Sequence, residues 1–280
     1  MYAIFSVASG VLAEAGMGSL TQNVWRLSIG ALIFVIPQLI ADGKRLFTWS
    51  ALPSIFLGGG VMMLLSLTYI GAISVGTPVP VVAFLSETAP FFSLLLAWTL
   101  FREQVTKRQV MVACLGILGV VLVSGFSLAG KNSLIGDVLA IINAVLFAVY
   151  ILLAKRFVGE NKHSPQLANA WVFSGAGLWA LLIIPFDPSV LAVPSMAFAS
   201  GTAFVCLLAA PAATYFFLNE GLKHIGTFES NMILLTIPIF ASVVSYFVLS
   251  EILVPIQVIG AGIIIGSIVT LYIKDASKPA

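Results

Sequence analysis

The chain reads as an all-α membrane protein with ten transmembrane helices arranged as two inverted five-helix repeats. Three observations predict this. First, 60% of the 280 residues are hydrophobic and 9% are charged, with a mean hydropathy of +1.11, whereas soluble domains carry about 25% charged residues. Second, ten spans of ~20 residues take up ~200 residues and leave ~80 for loops and ends, too few for an extramembrane domain. Third, polar residues of one half recur, in order, in the other. A soluble enzyme, a nucleic-acid binder and a disulfide scaffold are excluded by the composition alone.

Apolar stretches of spanning length fall at 2–20, 22–41, 51–73, 77–101, 108–127, 134–154, 167–186, 196–218, 227–250 and 256–273. Charged or Pro-containing breaks separate most of them, including Asp42–Arg45, Arg102–Gln109, Lys155–Gln166 and Phe186–Pro194. The breaks between spans 1 and 2 and between spans 3 and 4 are soft, so nine spans is the competing count. The first apolar stretch opens at Tyr2 without a basic segment, so it reads as a span and not as a cleaved signal peptide.

Orientation follows from the basic residues. Lys44, Arg45, Arg102, Lys107, Arg108, Lys155, Arg156, Lys162, Lys223, Lys274 and Lys278 fall on the side of the two termini, which is eleven of the thirteen Lys and Arg. Lys131 is opposite and Arg26 lies within span 2. Positive loops favour the cytoplasm, so both termini are expected there, in a cell (inner) membrane.

The repeat is visible residue by residue. GAISVGT at 71–77 matches GLKHIGT at 221–227, while Thr88, Pro90, Glu103, Gln109 and Val110 match Thr236, Pro238, Glu251, Gln257 and Val258 at an offset of 148. Asn23 and Trp25 likewise pair with Asn169 and Trp171. Five spans per repeat is an odd number, so the two copies, 1–129 and 130–280, are expected to run oppositely across the bilayer. REQVTKRQ is basic, whereas its partner SEILVPIQ carries no Lys or Arg, as expected of a segment moved to the outer face. Inverted repeats are a transporter architecture with the substrate site at mid-membrane between the copies.

Ten spans, the five-plus-five repeat, the Pro about thirteen residues before a Glu (Pro90 and Glu103; Pro238 and Glu251), Arg26 at the opening of span 2 and the stretch GDVLAIINAVLFAVYILLAK together resemble the drug/metabolite transporter superfamily, EamA type. The Trp-Gly pair usual in span 1 is absent, with Ser9-Gly10 nearest to it. The resemblance covers essentially the whole chain. It implies a central cavity lined mainly by spans 1–4 and 6–9, with spans 5 and 10 at the periphery.

Candidate site residues are polar groups placed in hydrocarbon, where an ionisable side chain costs ~2.5–3.5 kcal/mol and usually faces the bundle interior. At 1.5 Å per residue, Glu14 lies ~18 Å and Glu87 ~21 Å from the cytoplasmic face, and Asn143 ~17 Å in a ~30 Å core. One layer is thereby predicted. Glu14, in VLAEAG, is similar to the acidic residue of the first helix of small multidrug resistance proteins. It reads as a proton-exchanging carboxyl, as a residue hydrogen-bonded to a neighbouring helix, or as one near the interface if span 1 slides. Glu87 precedes the Pro90 break, where freed carbonyls can line a cavity. Asn143, Phe147 and Tyr150 share a helix face, to bind a small amphiphile or to hold the halves together. Trp25 and Arg26 lie about a turn inside the outer face, as an aromatic belt with a snorkelling Arg or as an anchor for a substrate carboxylate. Glu229 and Asn231 open span 9 as helix caps or as an inner gate.

Gly116 and Gly119 on span 5, with Gly262 and Gly266 on span 10, are expected to give close helix approach, as a repeat-related contact or at a dimer face; monomer and homodimer are both open. Cys114 and Cys206 read as small hydrophobes, and no cofactor, metal or catalytic motif is visible. The expected function is secondary export of a small metabolite such as an amino acid or amine, with possible proton coupling. The partners implied are that solute, protons and the lipid bilayer, and not nucleic acid. The alternatives are a membrane-embedded scaffold or an enzyme acting on lipid.

Overall fold

The computed structural model describes residues 2–46, 48–101, 106–124, 133–154, 164–193, 198–221 and 236–273. Among these residues the α-helices are α1 (Tyr2–Glu14), α2 (Ser19–Leu46), α3 (Gly59–Ser74), α4 (Val79–Ser86), α5 (Ala89–Phe101), α6 (Lys107–Ser124), α7 (Leu134–Ala154), α8 (Pro165–Leu181), α9 (Phe198–Gly221), α10 (Thr236–Leu249) and α11 (Pro255–Ile273). A π-helical turn, Ser54–Gly58, leads into α3. Four stretches, Ser19–Ala41, Ser54–Ser74, Leu134–Ile151 and Ser200–Phe217, are long and apolar enough to cross a bilayer.

The distribution of side chains is that of a lipid-immersed bundle. Gln22, Asn23, Arg26, Ser66, Asn143, Asn169 and Ser245 are buried, while Ile36, Ile40, Leu64, Trp98, Ile117, Phe240, Phe247 and Ile259 face outward. Hydrocarbon gives apolar side chains no reason to hide, whereas every polar group needs a partner there.

Helix ends follow local chemistry. α1 and α3 both close on a glycine in the left-handed region, Gly16 (φ 85) and Gly76 (φ 95). At each, two backbone bonds cap the last turn: Met17 N–H to Leu12 O (2.8 Å) with Gly16 N–H to Ala13 O (3.0 Å), and Thr77 N–H to Ala72 O (3.2 Å) with Gly76 N–H to Ile73 O (3.0 Å). The expected single span 77–101 is broken into α4 and α5 at Glu87 and Thr88. Pro90 cannot donate to the Ser86 carbonyl, and its ring crowds that atom. Thr88 donates instead to Leu85 O, at 2.6 Å.

Two boundaries differ from expectation. Span 1 ends as helix at Glu14 rather than near residue 20, because Gly16 turns the chain. The break expected at Asp42–Arg45 is helical, within the last turns of α2.

α2 packs on α8, α6 on α11, α3 on α7, α1 on α9, α4 on both α7 and α10, and α1 on α10. The close approach of α6 and α11 uses Gly119 and Gly260: a Cβ at Gly260 would lie 2.7 Å from Val123 N. Gly116 instead seats Phe91 of α5, and Gly262 and Gly266 face open space. Within the chain the α6–α11 contact is thus made by Gly260 and not by Gly262 and Gly266, which lie on other faces of α11.

Candidate functional site

Two cavities open along the same helices. The central one, about 30 Å³, is lined by Tyr2 of α1, Tyr69 of α3, Ala83, Ser86 and Glu87 at the end of α4, Asn143 and Phe147 of α7, Thr214 and Tyr215 of α9, and Ile237 of α10. It has room for about two waters, so the conformation described is closed around its centre.

Glu87 sits there because the helix stops there. The α4–α5 break frees the backbone turn that carries the carboxyl, and Ser86 Oγ beside it is buried without a hydrogen-bond partner. Asn143 Nδ2 donates to Leu65 O at 2.6 Å and lies 3.3 Å from Thr68 Oγ1, tying α7 to α3. The amide thus both holds the halves together and borders the cavity. Phe147 stacks toward Tyr150 with ring centroids 6.2 Å apart, and Tyr150 meets Tyr215 edge-on at 5.9 Å. Tyr150 supports the cavity wall from behind.

Tyr2, Tyr69 and Tyr215 complete an aromatic enclosure that the sequence reading passed over. Tyr2 and Tyr69 pack edge-to-face at 5.6 Å, and the Tyr69 hydroxyl is 2.7 Å from Ser6 Oγ. Tyr2, Tyr69 and Tyr215 fall at or near the ends of the expected spans 2–20, 51–73 and 196–218, where an interfacial-belt tyrosine is the default reading, so spacing alone does not mark them as cavity residues.

Glu14 is not in this layer. It lies exposed at the last residue of α1 and lines a second cavity of about 270 Å³ with Gly10, Ala13, Ile73, Ser74, Gly76, Thr77, Leu249 and Glu251. The depth count took Tyr2 as the membrane edge, but Tyr2 itself borders the central cavity with Glu87. The 13-residue α1 therefore carries Glu14 ~20 Å away from that level.

Arg26 is 3% exposed, donates to the Ser66 hydroxyl, which in turn donates to Asn23 Oδ1, and stands 5.0 Å from the Phe5 ring centroid. Its Nε has no partner. This network fixes the guanidinium inside the bundle, and Arg26 is not among the residues described as lining either cavity. Trp25 packs edge-on to Phe204 at 6.0 Å, with its Nε1 buried and unpartnered. Glu229 and Asn231 lie outside the described residues, as does Glu103.

Glu251, the repeat match of Glu103, ties the turn after α10 to α4. Its Oε2 accepts from Val79 N–H at 3.0 Å and from the Ser245 hydroxyl. Burial lifts this carboxyl above the usual carboxylate range and Glu14 adds repulsion, while the Ser245 and Val79 donors pull the other way.

An apolar helical bundle with polar side chains turned inward, around a closed central cavity, defines a multi-pass membrane-embedded protein. The EamA-like transporter family model matches residues 1–125 and 134–273, and the chain belongs to that family. It is a transporter, not an enzyme. It is 24% identical over 284 residues to the uncharacterized transporter YyaM of Bacillus subtilis, covering 96% of this chain and 90% of that protein. It is 28% identical over 273 residues to an uncharacterized transporter of Archaeoglobus fulgidus, covering 96% and 92%. Solute carrier family 35 member F5 of Macaca fascicularis is 33% identical over 129 residues, covering 44% of this chain and 29% of that protein. A solved crystal structure superposes with a TM-score of 0.66 at 19% identity over 98% of this chain and 95% of the other, so the fold is shared.

Proposed function

We propose that the protein is a secondary transporter of the cell (inner) membrane that exports a small ammonium-bearing metabolite, an amino acid or amine, by alternating access and in exchange for protons. The observation that carries the reading is the composition of the central cavity wall. Its lining comes from α1, α3 and α4 on one side and from α7, α9 and α10 on the other. With α4 and α5 counted as one broken span, these are spans 1, 3 and 4 and spans 6, 8 and 9, which the repeat relates one to one.

The helix contacts support the same division. Shifting every span by five turns the α3–α7 contact into α9–α1 and the α4–α7 contact into α10–α1, and leaves α2–α8, α6–α11 and α4–α10 unchanged. The family match in two stretches agrees with copies at 1–129 and 130–280. On this reading ten spans form two inverted repeats, both termini are cytoplasmic, and the cavity holding Glu14 and Glu251 faces outward.

Glu87 supplies the negative charge and the tyrosine rings supply π-faces, a combination suited to an ammonium group. No Lys or Arg is among the lining residues described, and Arg26 is engaged with Ser66, which favours an amine over a solute whose carboxylate needs a partner. A scaffold would have its midplane filled with apolar side chains, whereas this one presents a carboxyl, an amide and hydroxyls.

The test is Glu87→Gln in proteoliposomes. A hydrogen bond to a charged group contributes ~1.5–3 kcal/mol, or about ten- to a hundredfold in affinity. The expected result is normal expression with loss of proton-linked exchange; wild-type turnover in this variant would remove Glu87 from the mechanism.

A further inference from the structure

The outer cavity and the central cavity are separated by one junction of α1, α4 and α10. Gly10, Val79 and Leu249 meet there so closely that a Cβ added at Gly10 would lie 2.7 Å from Leu249 Cδ1 and 3.1 Å from Val79 Cγ2. Val79 has no exposed surface. One turn below it on α4, Ala83 already borders the central cavity. A solute leaving that cavity outward must therefore part α4 from α10.

Glu251 is placed to resist that parting. Ser250, a non-glycine residue in the left-handed region (φ 54), turns the chain after α10 so that the Glu251 carboxylate returns to Ser245 of α10 and reaches across to Val79 N–H. Val79 stands between Pro78 and Pro80, and prolines carry no N–H. Its amide is therefore a lone, buried donor at the start of α4 whose acceptor comes from the other half of the molecule. A buried N–H left without a partner is strongly disfavoured.

We infer that Glu251 is the positioning residue of the outer gate: by accepting the Val79 N–H it fastens α4 to the α10–α11 turn and holds the closed-outside state. The inference rests on the alternating-access reading above. Opening outward breaks this bond and hydrates the amide, so loss of the acceptor shifts the balance toward the outward-open state.

The test reads access and not transport. Cys114 and Cys206 are replaced by Ala, Ala83→Cys is introduced, and a membrane-impermeant thiol reagent is applied to the outer face of oriented vesicles. Glu251→Ala is expected to speed labelling of this cysteine by about ten- to a hundredfold, the weight of a hydrogen bond to a charged group. Glu251→Gln, whose amide oxygen still accepts from Val79 N–H, is expected to stay within about threefold of the parent. Ser245→Ala keeps the carboxylate but frees its anchor; it is expected to fall between the two and serves if Glu251→Ala does not fold. Labelling at the parental rate in Glu251→Ala or, failing that variant, in Ser245→Ala overturns the latch. If the parent's Ala83→Cys shows no substrate-dependent change in labelling from either face, alternating access itself fails, a distinct result.

Discussion

The approach of α3 to α8 gives the sharpest stability prediction. Gly59 sits at the start of α3, just after the π-helical turn, and faces Gly175 of α8. A Cβ at Gly59 would lie 2.5 Å from the Cα and carbonyl carbon of Gly175 and 2.6 Å from Ala176 N. Carbon atoms in contact sit ~3.5–4.0 Å apart, so α8 would have to withdraw by ~1 Å or more. These are backbone atoms, which cannot swing aside as a side chain would. Gly59→Ala therefore falls at the upper end of the ~1–3 kcal/mol cost of overpacking, less the ~1 kcal/mol that alanine regains as a better helix former. The net loss is about 2 kcal/mol, or roughly 4–8 °C in Tm. Thermal unfolding of the purified protein in detergent, followed by tryptophan fluorescence, measures it. Gly262→Ala on α11, with nothing within 4 Å of the added methyl, is the control and is expected to hold or raise Tm. A Gly59→Ala protein melting within ~1 °C of the parent would refute the reasoning.

Other perturbations test the cavity wall and the outer junction. Asn143→Ala removes the bonds to Leu65 O and Thr68 Oγ1 and should cost ~0.6–1.7 kcal/mol, read by the same melt. Tyr69→Phe keeps the ring and breaks only the hydroxyl contact with Ser6, and should cost ~0.5–1.5 kcal/mol, read by the same melt. Glu251, whose folded-state carboxyl is raised by burial and by Glu14 against the pull of Ser245 and Val79 N–H, should make stability pH-dependent. The folded protein takes up this proton at higher pH than the unfolded chain does. Its contribution is therefore most favourable below the ordinary glutamate value of about 4.3 and declines as pH rises through the raised value. Melting curves across that window should slope accordingly, and Glu251→Gln should flatten the slope.

How much was legible depended on which quantity fixed each residue. Glu87 and Asn143, which counting along a helix from a charged loop puts in one layer, line the same cavity. The same count failed at Glu14, where the starting edge was taken at Tyr2 and the error passed undiminished to the far end of α1. Depth counting says nothing of what Arg26 meets sideways, and it is the hydroxyl of Ser66 on α3 that engages it inside the bundle. Tyr69 and Tyr215 were missed because aromatic residues in an apolar run carry no periodic mark of which face is wet. The α6–α11 contact illustrates the same limit: GxxxG spacing pointed to Gly262 and Gly266, and helix rotation selected Gly260.

The sequence by itself determined the solvent, the helical class, the approximate positions of the described helices and the break at Pro90, since these depend on composition, on the length of apolar stretches and on the backbone donor that proline lacks. Which polar residues share a cavity, which glycines meet and which carboxylate crosses between halves were decided only in the tertiary structure. The physical reason is that hydrocarbon exerts no apolar preference among helix faces, so rotation and partner choice come from close packing and from hydrogen bonds between residues far apart in the chain.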